Sequence, residues 1–229
     1  MIRRDYILRM LAEFFEVLSR IRALQKGQQW SEASRLTGEQ ISGLIGIDPR
    51  AALGLSETEL LARLIKSEST LAVREKTLML ATLFKEAGDT ASTSGNPDEG
   101  MAYYLKGLHL MLGLLAREDP FEFPEFVPRI EGFLSALGGA PLPLLTRGML
   151  MQHYEGIGDF GRAEDTLFSM IEDDEDNPEL LEFGIAFYHR LQKQPDDALI
   201  NGNLPRNELE TGISELLKRK AARSSAFRP

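Results

Sequence analysis

The sequence predicts an all-α protein, and three observations support this fold class. Strand signals are nearly absent, since leucine outnumbers valine by more than ten to one and no segment sustains strand-like alternation between hairpin turns. Apolar residues instead recur at three- and four-residue steps along most of the chain. Capping and turn residues interrupt this periodicity repeatedly. We therefore expect helices that pack against one another in pairs.

The helices can be placed in order from these signals. Asp5 caps the first helix and Gly27 ends it. The predicted apolar stripe of this helix consists of Tyr6, Met10, Phe14, Val17, Ile21 and Leu24. Ser56 and Glu59 form a capping-box pattern that opens another helix. Further helical patterning covers about 30–45, 71–92, 97–117, 125–137, 178–192 and 205–220.

Proline and glycine clusters divide the chain into regions. Residues 1–117 form an N-terminal region of helix pairs. Residues 118–143 form a connector that prolines and glycines interrupt, with one short helix inside it and three phenylalanines that favour a packed segment. Residues 144–220 form a C-terminal helical region, and residues 221–229 are expected to fray.

A cadence of residues recurs at three helix turns. In HYEGIGDFGRAEDTLFSMIEDDEDNP, residues 153–178, it consists of Tyr154, Gly158, Phe160, Ala163 and Leu167. Comparable runs occupy 91–104 and 24–37, so that the turn positions 28, 95 and 158 are separated by 67 and 63 residues. A small residue follows each turn and allows two antiparallel helices to approach closely; these residues are Ala33, Gly100 and Ala163.

These intervals are near twice the ~34-residue period of the tetratricopeptide repeat. The chain resembles a tetratricopeptide-repeat protein most clearly over 144–178, where YEGIGDFGRAEDTLFSMI is similar to the Tyr–Gly–aromatic–Ala core of the repeat. Arg147 stands where the repeat usually has Trp, and Met151 replaces its small residue. The resemblance implies antiparallel helix pairs stacked as an irregular, right-handed, tetratricopeptide-like array.

The two ends of the chain carry a second resemblance. The opening RRDYILRM and the late NLPRNELETGISELL resemble an uncharacterised bacterial family of small helical proteins. That family implies no activity.

Charge and composition disfavour several classes of partner. The net charge of −9 and the pI near 5.0 oppose attraction to a phosphate backbone, so we expect no nucleic-acid partner. The absence of cysteine excludes disulfides and thiolate chemistry and is compatible with a reducing cytoplasm. The acidic residues among Arg3, Arg4 and Arg9 argue against a transit peptide, and no apolar run is long enough for a membrane span. We predict a cytoplasmic protein without a membrane partner.

No residue pattern indicates a cofactor, a metal or a catalytic group. The histidines His109, His153 and His189 lack metal-ligand spacing. The acidic run 172–176 lacks the glycine and the register of a calcium loop. The basic tail that begins at Lys218 is typical of a helix C-terminus.

The leading hypothesis is therefore a non-catalytic helical-repeat scaffold that binds a protein or peptide in a groove. The repeat resemblance implies that the first helix of each pair lines this groove, and the candidate partner-binding residues are Arg22, Gln25, Lys26, Lys85, Asp89, Gln152 and Glu155.

Two alternatives stay open. One is a homodimer built on exposed apolar helices, which the N-terminal stripe and the cluster of Phe121, Phe123 and Phe126 suggest. The other is an enzyme whose carboxylates, such as Glu155 and Asp159, converge only in the folded chain.

Overall fold

The protein is helical throughout the residues that the structure describes. The computed structural model describes residues 2–65, 70–117, 121–174 and 177–226. Within these ranges the chain forms twelve α-helices and no β-strand, which confirms the predicted all-α class. The helices are α1 (Ile2–Lys26), α2 (Trp30–Ile45), α3 (Pro49–Leu53), α4 (Glu57–Ile65), α5 (Thr70–Thr93), α6 (Pro97–Leu115), α7 (Ile130–Ala136), α8 (Leu144–Gly156), α9 (Phe160–Asp173), α10 (Pro178–Leu191), α11 (Asp196–Asn201) and α12 (Arg206–Ala226).

The chain divides into two compact units. The first unit spans Met1–Pro141 and contains α1 to α7, and the second spans Leu142–Pro229 and contains α8 to α12. The division falls beside the Gly138-Gly139 pair, where both glycines adopt positive φ angles of 64° and 75°. Helix α12 continues past Lys220 to Ala226, and residues 227–229 lie outside the described part of the chain.

The three turns that the sequence indicates share one backbone geometry. Gln28, Gly95 and Gly158 adopt left-handed φ angles of 57°, 95° and 80°. At each turn the next residue donates its backbone N–H to the carbonyl five positions earlier, at 2.9 Å in all three cases. The left-handed residue itself donates to the carbonyl three positions earlier. These two bonds define a Schellman motif, which satisfies carbonyls that the helix end would otherwise leave without donors.

A small buried residue follows each of these turns and lets the paired helices meet. Ala33 and Ala163 are both 0% exposed, and Gly100 is buried. A Cβ on Gly100 would lie only 2.9 Å from the Gly88 carbonyl oxygen on α5, so any larger residue would force α5 and α6 apart. The pairs α1–α2, α5–α6 and α8–α9 thus pack through the positions that the cadence indicates.

A fourth turn of the same kind lies between α11 and α12, where the sequence did not predict a repeat. Asn203 has a φ of 56°, and Leu204 donates its N–H to the Leu199 carbonyl at 3.0 Å. This turn packs directly on the turn at Gly158, because the Gly161 N–H donates to the Gly202 carbonyl at 2.8 Å. The late motif NLPRNELE therefore belongs to a turn that contacts the start of α9.

The buried face of α1 includes Phe14 and Ile21 of the predicted stripe but not Tyr6. Ile7, Phe14, Leu18 and Ile21 are 0–7% exposed, whereas Tyr6 is 46% exposed. Met10, Val17 and Leu24 of the predicted stripe are half-buried and border the packed face, because α1 carries apolar residues on more than one face. The stripe that packs is the one that begins at Ile7.

Two local predictions are confirmed. Ser56 and Glu59 form the capping box, with the Ser56 N–H donating to Glu59 Oε2 at 2.7 Å and the Glu59 N–H donating to Ser56 Oγ at 3.3 Å. The connector is packed, since Phe126 and Val127 are each 4% exposed. Phe133 of α7 is fully buried beside Gly107 of α6, where a Cβ would stand 2.5 Å from its ring.

A polar contact joins three helices of the second unit. The Tyr188 hydroxyl of α10 donates to the Glu164 carboxylate of α9 and lies against Gly212 of α12, where a Cβ would be 2.0 Å away. Burial raises the pKa of Glu164 above its ordinary value, although the bond from Tyr188 opposes the shift. Burial also raises the pKa of Tyr188, so this hydroxyl stays protonated and remains a donor.

The close contact between the turns at Gly158 and Asn203 predicts that one added methyl group destabilises the protein. A Cβ on Gly202 would lie 2.4 Å from the Gly158 carbonyl oxygen, so we expect Gly202→Ala to lower the free energy of unfolding by about 1–3 kcal/mol. Gly148→Ala is the matched control, because a Cβ at this position of α8 meets no atom within 4 Å and alanine favours the helix. Urea denaturation followed by circular dichroism measures both. Equal stability of the two variants would contradict the turn-to-turn contact.

Glu164 predicts a pH dependence of stability. Because its pKa is raised in the folded protein, its contribution to stability is fully present below the unfolded pKa of about 4.3 and is lost as the pH rises through the folded pKa. Glu164→Gln keeps an acceptor for Tyr188 but has no charge to titrate, so the variant should not lose this stability as the pH rises. We expect the free energy of unfolding of the variant, relative to wild type, to increase from pH 4 to pH 7 in urea titrations. A difference independent of pH would show that Glu164 does not titrate with folding.

Candidate partner-binding groove

Five of the seven predicted partner-binding residues lie together in the first unit. Arg22, Gln25 and Lys26 of α1 and Lys85 and Asp89 of α5 line one groove of about 410 Å³. They meet because α1 and α5, each the first helix of its pair, pack against each other. Gln25 and Lys26 follow Arg22 by three and four positions, and Asp89 follows Lys85 by four, so each helix presents these residues on the side toward the groove.

A buried carboxylate anchors the floor of this groove. The side chain of Glu86 is 6% exposed, and Arg22 Nε donates to its Oε1 at 2.7 Å. Gln25 Nε2 donates to the Glu86 backbone carbonyl and to Thr90 Oγ1, both at 3.1 Å. A buried carboxylate requires a cation and hydrogen-bond donors. The contacts with Glu86 and with Thr90 therefore hold the Arg22 and Gln25 side chains in place.

A second polar cluster fixes the α5 side of the groove. Lys85 Nζ lies 2.7 Å from Asp89 Oδ1, and the Tyr104 hydroxyl donates to the same oxygen at 2.8 Å. Burial raises the pKa of Tyr104 to about 12, so the hydroxyl remains protonated at neutral pH. Lys85 Nζ also stands 5.2 Å from the centre of the Tyr104 ring.

The groove has a third wall whose residues were not predicted from the sequence. Pro128, Arg129 and Gly132, at the start of α7, complete the lining. The Arg129 guanidinium stacks over the Phe123 ring, 5.0 Å from its centre. Phenylalanines near an arginine in the sequence indicate a packed segment here. They do not show that the segment meets α1, because no helical spacing links residues 123–132 to that helix.

The groove is positively charged although the protein is acidic. Its lining has four cations, Arg22, Lys26, Lys85 and Arg129, and two carboxylates, Glu86 and Asp89. The two carboxylates are occupied by Arg22 and Lys85. Among the described residues, Lys26 and Arg129 form no ion pair, so they present positive charge at the rim.

A larger cleft of about 600 Å³ lies between α2, α3, α5 and α6. Its charged rim is paired internally: Arg50 Nε lies 2.8 Å from Glu99 Oε1, and Arg35 pairs with Glu32 and Glu39. Burial raises the pKa of Tyr103, which also lines the cleft, to about 12. Its lining holds two cations, Arg35 and Arg50, and three carboxylates, Glu39, Asp48 and Glu99, so this cleft offers hydroxyl groups and a small net negative charge.

The other two predicted residues, Gln152 and Glu155, lie on α8 in the second unit. Gln152 is exposed. Glu155 accepts from Arg190 of α10 at 2.7 and 2.8 Å, and the charge-assisted bond raises the pKa of that arginine. Asp159 accepts from the Arg162 N–H at 3.5 Å as the N-cap of α9. Both acids of the enzyme alternative thus serve contacts within the fold.

The remaining candidate residues are dispersed. The described part of the chain contains no group of three or more His, Asp or Glu that could hold a metal ion. Burial, and then the charge of Lys106, lowers the pKa of His109. Within the acidic run, Asp173 pairs with Arg147 at 2.6 Å, and residues 175–176 lie outside the described residues. In the basic tail, Arg219 pairs with Glu215 at 2.6 Å and Lys220 with Glu182 at 2.5 Å.

Across the described ranges, no helix combines the length and apolar character needed to cross a membrane.

The fold and the groove define an all-helical protein of paired helices with a basic, polar groove on an acidic chain. The chain belongs to the family described as "Family of unknown function (DUF6483)", whose model matches residues 1–221. No curated protein matches the chain, and no solved structure matches it.

Removing the cation of the Arg22–Glu86 ion pair should destabilise the protein. Arg22→Ala leaves the buried Glu86 carboxylate without its cation, and we expect it to lower the free energy of unfolding by about 1–2 kcal/mol. Lys26→Ala, one turn further along α1, should change it by less than about 0.5 kcal/mol. Adding Glu86→Gln to Arg22→Ala should recover most of the loss, because the buried charge is then absent. Additive losses in denaturation experiments would show that the two residues act independently.

Proposed function

We propose that the protein is a non-catalytic helical scaffold that binds an acidic segment of a partner protein or peptide in the groove between α1 and α5. The observation that carries this proposal is the net positive lining of the groove in a chain whose net charge is −9. In the proposal the helix pairs stack as an irregular, right-handed, tetratricopeptide-like array, and the protein acts in the cytoplasm.

The charge distribution supports an acidic ligand. An acidic protein repels acidic molecules in general, so a local cluster of cations selects the partner that meets it in the correct orientation. Lys26 and Arg129 both line the groove from different elements, one on α1 and the other at the start of α7. Carboxylates between them would gain two charge-assisted hydrogen bonds.

The construction of the groove supports a rigid binding site. Arg22 and Lys85 are each fixed by a carboxylate, at 2.7 Å in both cases, and Gln25 is fixed by two acceptors. Side chains that are ordered before binding lose less conformational entropy when a ligand arrives. The volume of about 410 Å³ suits a few side chains of a peptide rather than a whole protein surface.

The helix arrangement supports stacking in the first unit. α2 and α1 both pack on α5, so the pair α1–α2 lies against the pair α5–α6. The two pairs use the same turn geometry at Gln28 and Gly95, and the first helix of each pair faces the groove. Stacked pairs of this kind bury faces that a single pair would expose.

Peptide selection tests the proposal. The full chain is immobilised and presented with a displayed library of random peptides, and the enriched sequences are synthesised with a fluorescent label. We expect Asp and Glu to be enriched, and the affinity measured by fluorescence anisotropy to fall as salt is raised. The double variant Lys26→Glu/Arg129→Glu should weaken binding by at least about tenfold.

A matched control separates the groove from total charge. Lys193→Glu/Lys218→Glu changes the net charge equally, at exposed positions of the second unit, and should leave the affinity within about twofold. Enrichment of neutral or basic peptides, or equal losses in the two double variants, would refute the proposed groove.

A further inference from the structure

Helix α1 has a second apolar strip that the core of the first unit does not cover. Leu8 is 56% exposed and Phe15 is 44% exposed, and Ala12 between them is also exposed. Leu8 and Phe15 are seven residues apart and Ala12 is four residues from Leu8, so all three lie on one side of the helix. The core-facing residues of α1 lie on another side.

One residue of this strip is held in a fixed orientation. The Phe15 ring meets the Phe126 ring edge-on, with the ring centres 4.9 Å apart. Phe126 is itself 4% exposed. A ring that is exposed and yet anchored loses little freedom when a further surface packs on it.

Four exposed charges follow the strip on one flank. They are Asp5, Arg9, Glu16 and Arg20, at successive steps of four, seven and four residues. These steps keep all four within one narrow sector of the helix. The order of signs along the flank is negative, positive, negative, positive.

This order is complementary to itself when the helix is reversed. In an antiparallel pair of α1 helices that places Asp5 opposite Arg20, Arg9 stands opposite Glu16, and both pairings occur twice. A parallel pair related by a twofold axis would turn this flank toward the opposite flank of the other copy, so these pairings would not form. In the antiparallel register Leu8 and Phe15 of each copy come to the same seam.

We propose that the exposed strip of α1 is a homodimer interface in which a second copy of this chain docks its own α1 in the antiparallel direction. The twofold axis passes between positions 12 and 13. The interface covers residues 5–20, and its apolar seam of Leu8, Ala12 and Phe15 is flanked by the two kinds of ion pair.

Single-cysteine cross-linking tests the arrangement, since the natural chain has no cysteine and any disulfide must join two copies. Ala12→Cys lies beside the axis, so the two thiols come together and we expect a covalent dimer under mild oxidation. Ser19→Cys lies on the same exposed side, but the two copies of position 19 are about 20 Å apart along the helix axis in this register. It should stay monomeric on a denaturing gel.

Charge reversal tests the register without a cross-link. In sedimentation equilibrium of the full chain, Arg9→Glu and Glu16→Arg should each raise the dimer dissociation constant by on the order of tenfold, because each change creates two like-charge contacts. The double variant Arg9→Glu/Glu16→Arg restores opposite charges and should return to within about threefold of wild type. Glu13→Arg is the matched control, because position 13 faces the uncharged Ala12 of the other copy.

The outcomes are decisive in both directions. Leu8→Glu changes an exposed residue, leaves the fold intact by circular dichroism, and should make the chain monomeric. A monomeric wild type at high micromolar concentration overturns the proposal, as does a dimer that Leu8→Glu does not weaken. Equal cross-linking of Ala12→Cys and Ser19→Cys overturns the antiparallel register.

Discussion

Backbone hydrogen bonding at helix ends is the constraint on which the rest of this structure depends. A helix end leaves carbonyls without donors, and a chain that reverses within two residues must satisfy them at once. The left-handed residue at 28, 95, 158 or 203 and the residue that follows it each provide one of the N–H groups that do so. Because the reversal is so short, the next helix lies directly against the first, and after the turns at 28, 95 and 158 a buried alanine or glycine allows this approach. The turn geometry thus determines the pairing, and the pairing brings α1 and α5 together at the groove.

The groove follows from burying a carboxylate between two such pairs. Glu86 lies where α1 packs on α5, and a charge at that depth is tolerated only when a cation and donors meet it. Arg22 satisfies this requirement and is held in place by it. Lys85 is held similarly by Asp89. In each of these two ion pairs the charges cancel, so the net positive charge of the lining comes from Lys26 and Arg129, which form no ion pair among the described residues. These two cations are therefore available to the carboxylates of a ligand.

The sequence predicted what depends on local chemistry and missed what depends on distant packing. Glycine or a polar residue that tolerates positive φ, followed by a small residue, marks three turns because these requirements are local. The fourth turn, at Asn203, escaped because the six-residue α11 is too short to show periodicity. The predicted stripe of α1 was wrong at Tyr6, because apolar residues occupy neighbouring faces of this helix and only the packing of α2 and α5 selects among them. Five residues of the groove lining were candidates through the tetratricopeptide resemblance, whereas Arg129 reaches the groove through a proline-rich connector whose path no spacing rule determines.

Helix α1 combines these features because its faces and its two halves have separate roles. One face packs into the core along its length, from Ile7 to Ile21. Its C-terminal part contributes Arg22 and Lys26 to the groove. Its N-terminal part carries the apolar strip that ends at Phe15, about 10 Å along the axis from Arg22. A dimer through the strip would therefore leave a groove available on each copy, and two linked grooves bind a partner with two acidic segments more tightly than either groove alone. The division of α1 along its length is what makes the two proposals physically compatible and experimentally separable.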